Sequence, residues 1–401
     1  MVIASSMLFL TSLSAQDDLS LRDAISMAQS SPQAIASEAQ VIAARGQVTQ
    51  AGLGPNPRLY LQSEDLRPWA KAFDFPNQTE DYGYLGQTVE LDGKRLKRVA
   101  VARADLRRAE VERQLQMQLI AGRVAGAYWG LVVGIGVRDL LAQDLKAVDE
   151  VVRYHRERVA AGAMRGVDLL RMEIERDRVQ IALEAAERDI TTARVDLFHQ
   201  IGRPVSRETH LSDSLGTTLQ LPRFDIAAAV AGRLDVVATK EEVASAEANV
   251  RLQRANAVPD PDVLGGYKRN SGNDTLYAAV QIPLPFHNRN QGEIARADAH
   301  LRLAKAHLAQ AELTARADIE AAQTIYDHQR QIVEKLVPDM RSRAKQNLVI
   351  LDDAYRTGSI DLLRYIDAER TEIEVEVNAL RTLADLRQSI VRLQLAYGDT
   401  P

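Results

Sequence analysis

The sequence predicts a mainly α-helical chain with a small β part, in which long helices pack as coiled coils. Long tracts rich in Ala, Leu, Arg and Glu lack proline, between Pro76 and Pro204 and over most of the segment after Pro285. Continuous helices require such tracts, because an interior proline costs ~3 kcal/mol. Two windows, 55–86 and 259–287, instead hold 8 of the 13 prolines and 9 of the 19 aromatic residues. Several motifs also occur twice in the chain, which indicates two similar halves.

Composition excludes several kinds of site. The 401 residues include no cysteine, so a disulfide scaffold, a zinc finger, an iron–sulfur site, a thiol nucleophile and a lipid-modified N-terminal cysteine are excluded. With 50 Lys and Arg against 55 Asp and Glu, the net charge is −5, which argues against a nucleic-acid partner. No stretch reaches the ~18 uninterrupted apolar residues of a membrane-spanning helix; the longest is 127–137.

Residues 1–16 (MVIASSMLFLTSLSAQ) predict a signal peptide and therefore an exported chain. A short apolar block from Met7 to Leu10 is followed by small residues up to Ala15 and then by two acidic residues, Asp17 and Asp18. The alternative is a frayed, mildly apolar terminus.

Each of the two proline-rich windows predicts two strands and a turn. We expect strands at about 58–65 and 82–91 in the first window, and at about 262–268 and 276–284 in the second. These lengths are near the ~9–11 residues that a tilted strand needs to cross a bilayer. The alternative is two ordinary surface hairpins. Two hairpins alone are marginal in water, so the strands must pair with something else.

The proline-free tracts carry a heptad pattern. After Gly292, apolar residues recur in steps of three and four, at Ile294, Ala297, Leu301, Ala304, Leu308, Ala311 and Ala315. The tract from Gly93 to about Ala160 is similar, and as one helix it would extend on the order of 100 Å. Pro338 predicts a kink in the later tract. Residues 372–377 (EIEVEV) alternate as a strand would, but their surroundings predict a helix.

Short motifs recur at similar distances along the chain. GPNP at 54–57 matches VPDP at 258–261, and GVDLLR at 166–171 matches SIDLLR at 359–364 with an offset of 193. These matches indicate that one structural unit occurs twice.

We therefore predict a first repeat over residues 17–204 and a second over 205–401. Each repeat is expected to run through short helices, two strands, a long helix, a glycine turn and a further helix. We call the two glycine turns the tip turns and place them at 162–168 and 358–361.

The repeat, the segment GLGPNP at 52–57 and the segment YRTGSIDLLRYIDAER at 355–370 resemble the TolC-like outer-membrane efflux factors. The resemblance implies a passive exit duct in the outer membrane of a Gram-negative cell, extending into the periplasm. It implies a homotrimer in which each chain gives four strands to a twelve-stranded transmembrane β-barrel and its helices to a long α-helical barrel. The implied partners are outer-membrane lipid, a periplasmic adaptor protein and an inner-membrane RND-type transporter. Four strands cannot close a barrel alone, and lipid requires closure.

Within that family, ELDGKR at 90–95 resembles the Glu-x-Gly-Gly-Lys-Arg start of the long helix in the Czc/Cus-type metal-cation branch, with Asp92 in place of the first glycine. RVAAG at 158–162 followed by DLL at 168–170 also resembles that branch. The resemblance therefore favours heavy-metal cations as cargo. The alternatives are a drug-efflux or type I secretion duct and, in another class, a soluble coiled-coil scaffold.

The sequence predicts neither an enzyme nor a cofactor or metal site. Gly93-Lys94-Arg95 lacks the spacing and the Ser or Thr of a phosphate-binding loop, and no Ser-His-Asp grouping or nucleophile elbow is present. No HxxxH or HExxH pair occurs, and His300 and His307 would lie near 10 Å apart on a helix. We expect all seven histidines on the surface or on a tunnel wall.

The candidate functional residues lie at the tip turns. Asp361, Arg364 and Asp367 follow the second turn at one-turn spacing, and Asp168 follows the first. Gly162 and Gly358 supply the flexible turn positions. The resemblance places Asp367 at the Asp of an Asp-Ala-x-Arg motif, and in a trimer such residues are triplicated around an axis as a periplasmic gate. The alternative is an ordinary solvated first helical turn, where acids favour the helix dipole.

Overall fold

The computed structural model describes residues 18–206, 209–216 and 225–401, and the predicted signal peptide at 1–16 lies outside them. The predicted fold class is confirmed: long helices are joined to one small four-stranded sheet. In chain order the elements are α1 Leu21–Ala28, α2 Pro32–Ala51, β1 Arg58–Glu64, α3 Phe75–Gln78, β2 Glu80–Thr88, α4 Lys94–Ala160, α5 Gly166–Ile201, α6 Ile226–Gly232, α7 Leu234–Asn256, β3 Asp262–Asn270, β4 Asn273–Gln281, α8 Gln291–Gln331, a π-helical segment Ile332–Leu336, α9 Val337–Arg356 and α10 Leu362–Tyr397.

The chain divides into two compact units. The first unit takes its described residues from Met1–Ala36, Leu115–Arg233 and Ala315–Pro401, and it contains both tip turns. The second unit consists of Ser37–Gln114 and Leu234–Thr314 and contains the sheet.

Within the first unit, α5 and α10 are matching helices of 36 residues. They begin 196 residues apart, at 166 and 362, and end 196 residues apart, at 201 and 397. Each ends at a glycine with positive φ, Gly202 at 74° and Gly398 at 89°. The structural offset of 196 therefore differs from the offset of 193 between GVDLLR and SIDLLR. Counted from the helix starts, Asp168 is equivalent to Arg364 and not to Asp361.

Pro338 lies at the start of α9, directly after the π-helical segment Ile332–Leu336. Proline lacks an N–H and crowds the carbonyl four residues earlier, and a π turn accommodates this without ending the helix. The irregularity predicted at Pro338 therefore takes the form of a π segment. Residues 372–377 lie inside α10, as predicted.

By length and composition, α4 is the one helix in the described part of the chain that could cross a membrane, and 44% of the apolar window concerned is buried within the chain. This apolar stretch of α4 is interrupted by polar or charged residues, so it is not the uninterrupted apolar run that the sequence lacks. Val124 and Tyr128 of α4 pack against Leu197 and Ile201 of α5 in the core of the first unit. Packing therefore accounts for the apolar character of α4.

The sheet of the second unit is antiparallel, in the order β1-β2-β3-β4. The second strand runs over 80–88, where 82–91 was predicted, and the fourth over 273–281, where 276–284 was predicted. The shift of β4 follows from its turn: Ser271 and Gly272 have φ values of 48° and 85°, and Asn270 pairs directly with Asn273. Two successive left-handed residues form a two-residue hairpin turn, which is shorter than the predicted loop.

The strand register separates two different faces of the sheet. One face is apolar and exposed, and its members are Leu59, Leu61, Leu85, Val263, Tyr267, Leu276 and Val280. On the opposite face Tyr60 stacks on Tyr84 at 4.8 Å between ring centroids, and Tyr84 lies 5.0 Å from Tyr277. Gly266 lies between Tyr84 and Tyr277 in this register. A side chain does not fit at this position, because a Cβ there would approach the Gly83 carbonyl oxygen to 2.3 Å.

Two basic residues at the start of α4 hold the loops that precede β1 and β3. Asp92 and Gly93 have φ values of 52° and 62°, which turns the chain sharply into the helix. Lys94 Nζ then donates to the Val258 carbonyl oxygen at 2.6 Å and pairs with Asp260 at 2.7 Å. Arg98 pairs with Glu90 and donates to the carbonyl oxygens of Ala51 and Leu53 at 3.2 and 2.9 Å. The ELDGKR segment is therefore a junction between the sheet and α4.

Lys94→Met should lower the free energy of unfolding by about 3 kcal/mol, because the Asp260 carboxylate loses its cationic partner and keeps only the Leu91 N–H, and the Val258 carbonyl oxygen loses its donor. Lys97→Met is the matched control: Lys97 pairs with Asp92 at 2.8 Å, but its side chain is 30% exposed, so a loss of only about 0–1 kcal/mol is expected. Urea unfolding in detergent, followed by circular dichroism, measures both. Equal losses would contradict the structural role of Lys94.

Candidate functional site

The two tip turns have the same backbone geometry. Gly162 and Gly358 both have φ of 70°. In the first turn the N–H groups of Gly162 and Ala163 donate to the carbonyl oxygens of Val159 and Arg158 at 3.0 and 2.9 Å. In the second turn Gly358 and Ser359 donate to Tyr355 and Ala354 at 3.0 and 2.8 Å. Both are Schellman motifs, in which a left-handed glycine lets the chain reverse after a helix.

The charged residues after the two turns have different surroundings. Asp361 is the N-cap of α10 and accepts a hydrogen bond from the Arg364 N–H at 3.1 Å. Arg364 and Asp367 are exposed, and neither side chain forms an ion pair with another described residue. Asp168 lies inside the first turn of α5, with its side chain only 14% exposed, and pairs with Arg165 at 3.2 Å and with Arg171 at 3.9 Å. The structure thus brings Asp168 together with basic residues and leaves Arg364 available to other partners.

An apolar core lies behind the tip turns and joins the ends of four helices. Its buried members are Val148, Val152, Met172, Val179, Leu362, Tyr365 and Ile366. Partly buried Leu348 and Tyr355 of α9 pack against it. The turns therefore rest on one shared core, and Asp361, Arg364 and Asp367 on its outer side face solvent.

His155 is part of this region, and the expectation that all histidines are on the surface or a tunnel wall is wrong for it. It is fully buried, Nδ1 lies 2.8 Å from the Val151 carbonyl oxygen, and Nε2 lies 2.7 Å from the Tyr355 hydroxyl. A carbonyl oxygen only accepts, so Nδ1 carries the proton and Nε2 accepts from Tyr355. Tyr355 also stacks on Tyr365 at 5.1 Å, and burial raises the pKa of the Tyr355 hydroxyl.

The sequence around His155 indicates that this residue faces the core, but it does not indicate its hydrogen-bond partner. Val148, Val152 and His155 follow one another in steps of four and three on α4, which is the spacing of a core-facing stripe. Its hydroxyl partner lies 200 residues away on α9 and is found only in the folded chain.

The described residues contain no group of three or more His, Asp or Glu side chains placed to hold a metal ion. His307 Nδ1 lies 3.3 Å from Glu242, and that contact is exposed. The tip turns offer charged side chains and a packed core, which suits contacts between helices.

Long helices reversed by glycine turns, together with a small sheet that exposes an apolar face, define the TolC-like class of outer-membrane channel proteins. The family model described as outer membrane efflux protein matches residues 25–203 and 226–399. The chain belongs to that family.

Three similar proteins are informative. The cobalt-zinc-cadmium resistance protein CzcC of Cupriavidus metallidurans is 23% identical over 401 aligned residues, covering 95% of this chain and 90% of CzcC. The nickel and cobalt resistance protein CnrC of the same organism is 26% identical over 264 residues, covering 65% of this chain and 62% of CnrC. The crystal structure of CusC has a TM-score of 0.82 at 15% identity, covering 95% of this chain and 92% of that one. The CusC likeness shows the fold.

His155→Phe should lower the free energy of unfolding by about 1–3 kcal/mol, because the Tyr355 hydroxyl loses its buried acceptor. Tyr355→Phe should cost a similar amount. The double variant should lose less than the sum of the two, by about 1 kcal/mol or more, since no polar group is left unpaired. A double-mutant cycle of denaturation midpoints measures this coupling, and strictly additive losses would contradict it.

Proposed function

We propose that this protein is the passive exit duct of a tripartite efflux system and conducts heavy-metal cations from the periplasm to the exterior of a Gram-negative cell. Residues 1–16 act as its signal peptide, and the mature chain acts as a homotrimer. An inner-membrane RND-type transporter supplies the energy, and a periplasmic adaptor protein joins the transporter to the duct. One observation carries the proposal: the sheet has an exposed apolar face, a polar and tyrosine-bearing face, and an open edge at β1 and at β4.

The open edges support a trimer embedded in lipid. Within the described residues, β1 pairs only with β2 and β4 only with β3. In hydrocarbon every backbone N–H and C=O must be paired, so only closed barrels are stable there. Known outer-membrane barrels have about eight strands or more, which one chain cannot supply. Three copies supply twelve, with the apolar face toward lipid and the tyrosine face toward the lumen.

The names of two relatives support the choice of cargo. CzcC is a cobalt-zinc-cadmium resistance protein and CnrC a nickel and cobalt resistance protein. A drug-efflux or type I secretion duct is the second candidate, because the fold alone does not determine the cargo. A soluble coiled-coil scaffold is disfavoured, since it would leave a contiguous apolar sheet face in water.

Two adjacent alanines on β4 test the duct. Ala278 pairs with Gly265 and shares the apolar face with Leu276 and Val280, whereas Ala279 pairs with Leu264 on the opposite face. Ala278→Arg should abolish trimer assembly in the outer membrane, because an arginine near the middle of the lipid-facing band costs roughly 2–4 kcal/mol per chain. Ala279→Arg should assemble normally, because its side chain points into the aqueous lumen.

Both variants are expressed in a strain that lacks its own duct, and trimer yield and resistance to zinc, cobalt and cadmium are measured. Wild type and Ala279→Arg should restore metal resistance, and Ala278→Arg should not. A detergent-free, folded monomer of the wild type in ultracentrifugation would contradict the duct itself. Trimers that restore resistance to drugs but not to metals would contradict only the cargo.

The tip turns form the periplasmic gate of this duct. Asp168 and Arg364 occupy equivalent positions after the helix starts of the proposed repeats, 17–204 and 205–401, and so do Arg171 and Asp367. In a trimer the two kinds of helix start alternate around the axis, so acidic and basic residues alternate at both levels. Arg364 pairs there with an acidic residue of a neighbouring helix and helps to hold the aperture closed.

Arg364→Ala should raise single-channel conductance in planar bilayers without lowering trimer yield. Each exposed pair contributes only ~0–1 kcal/mol, but three copies act on one opening. Asp367→Ala should reduce cation selectivity, because it removes the three acidic residues of a level at which Arg171 supplies three basic ones. Arg356→Ala is the control, since Arg356 pairs within its own helix with Asp352 at 2.9 Å, and it should leave both properties unchanged. Unchanged conductance and selectivity in the first two variants would assign these residues to an ordinary solvated helix turn.

A further inference from the structure

We propose that an open cavity between α4, α5 and α10 within the first unit binds a small organic ammonium cation with an apolar body. The cavity has a volume of about 650 Å³. Small-molecule sites typically measure ~300–1,000 Å³, with apolar walls and a few polar groups that orient the ligand. Such a ligand site goes beyond conduction and does not depend on which cargo the duct exports.

Apolar residues form one part of the cavity wall, charged residues form the rest, and small residues create its space. Gly130 of α4 and Ala182, Ala185 and Ala186 of α5 line it. A Cβ added at Gly130 would meet no atom within 4 Å, so the cavity is open at that position. Larger apolar side chains complete the wall, among them Val133, Val137, Leu141, Val179, Ile373 and Val377.

Two carboxylates in the cavity have no partner. Asp144 of α4 is 8% exposed, lines the cavity and forms no hydrogen bond or ion pair with any described residue. Glu369 of α10 also lines the cavity, and its Oε2 atom is buried without a hydrogen-bond partner. A buried polar atom without a partner costs about 1–3 kcal/mol, and more if it is charged. Either a proton or a cationic ligand would remove this cost.

The neighbouring arginines do not neutralise these two carboxylates. Arg370 donates through Nε to Glu175 at 2.9 Å, and Arg178 Nη1 lies 3.5 Å from the other oxygen of Glu175. Glu175 is 5% exposed and holds both arginines on its own side chain. Asp144 and Glu369 therefore remain the unpaired charges.

The other charged groups that line the cavity are more exposed. Glu374 is 69% exposed and lies 3.9 Å from Arg178, and Asp189 is 74% exposed and lies 3.8 Å from Arg188. Arg381 is also exposed. Solvent screens these groups, so they add little to the field at the buried pair.

Protons compete with a cation for the same two carboxylates. Burial, with the charges of Glu175 and Glu372 nearby, raises the pKa of Asp144 to about 6. Burial, with the charges of Asp144, Glu175, Asp352 and Glu372, raises the pKa of Glu369 to about 7. Both groups are ionised at pH 8 and mostly protonated at pH 5.5. A ligand held by these charges must therefore bind more weakly as the pH falls.

The shape of the site selects an organic cation over a metal ion. No group of three or more His, Asp or Glu side chains among the described residues is placed to hold a metal ion, so a bare ion would lack ligands here. A hydrated ion would leave the apolar wall uncovered. An ammonium group on an alkyl or aryl body pairs with the carboxylates and also buries apolar surface.

The test uses isothermal titration calorimetry on the full-length, detergent-solubilised protein at pH 8, with 4-phenylbutylammonium as the probe and a detergent-only titration subtracted. Saturable binding is expected. Glu369→Gln and Asp144→Asn should each weaken it at least tenfold, and so should a change to pH 5.5 in the wild type. The uncharged analogue 4-phenylbutanol should bind at least tenfold more weakly than the ammonium.

Two further variants separate the site from general effects. Gly130→Leu fills the cavity without touching a charge and should abolish binding. Asp385→Asn removes an exposed carboxylate of α10 that does not line the cavity, and it should bind as the wild type does. Equal affinity in the wild type and Glu369→Gln, or equal affinity for the alcohol, would overturn the proposal. Binding of Co²⁺ that depends on Glu369, without binding of the ammonium, would also overturn it.

Discussion

Backbone hydrogen bonding at the edges of the sheet is the constraint on which the rest of the molecule depends. Among the described residues, four antiparallel strands leave one open edge at β1 and another at β4, and the central part of one face of the sheet is apolar and exposed. In water the backbone groups at the edges can bond to solvent, but exposure of the apolar face is unfavourable. In hydrocarbon the apolar face is favourable, but the unpaired backbone groups at the edges are not. The proposed pairing with further copies of the sheet would satisfy both conditions. Lys94 and Arg98 then matter because they tie the sheet to α4.

The proposed twofold repeat would follow from the same constraint. Each hairpin of the sheet leads into a long helix that must reverse and return, and a left-handed glycine provides the reversal at Gly162 and at Gly358. Because α5 and α10 have equal lengths, positions counted from their first residues correspond along both helices. Equivalent positions can then carry opposite charges, as Asp168 and Arg364 do, and in the proposed trimer neighbouring helix starts would become complementary without any difference in backbone.

Much of the fold could be predicted from the sequence, because the signals are local. Proline placement, heptad spacing and the aromatic windows determine which segments are helices and which are strands. The sequence predicts the start of β4 at about 276, three residues later than Asn273, where the strand begins in the structure. The reason is that a two-residue turn at Ser271 and Gly272 cannot be distinguished by composition from a longer loop. The motif match at an offset of 193 is misleading for a related reason, since Asp361 is the N-cap of α10, whereas Asp168 lies within the first turn of α5.

The polar interior of the first unit could not be predicted in this way. The partner of His155 lies on α9, and Asp144 and Glu369 line the same cavity only because α4 and α10 pack together. Burial of such groups depends on residues far apart in sequence, so local patterns indicate a core-facing position but not what it faces.

The unpaired carboxylates Asp144 and Glu369 make the stability of the helices behind the tip turns depend on pH. Because the pKa values of Asp144 and Glu369 in the folded chain are about 6 and about 7, above the ordinary values of 3.8 and 4.5, the folded state binds these protons more tightly than the unfolded state does. Their destabilising contribution is therefore fully present above about pH 7 and declines as the pH falls through the folded-state values. A bound cation would remove the same contribution at higher pH, in proportion to its occupancy. Glu369 lies two residues after Asp367 on α10, so occupancy of the cavity would stabilise the packing of the helix that carries the proposed gate charges.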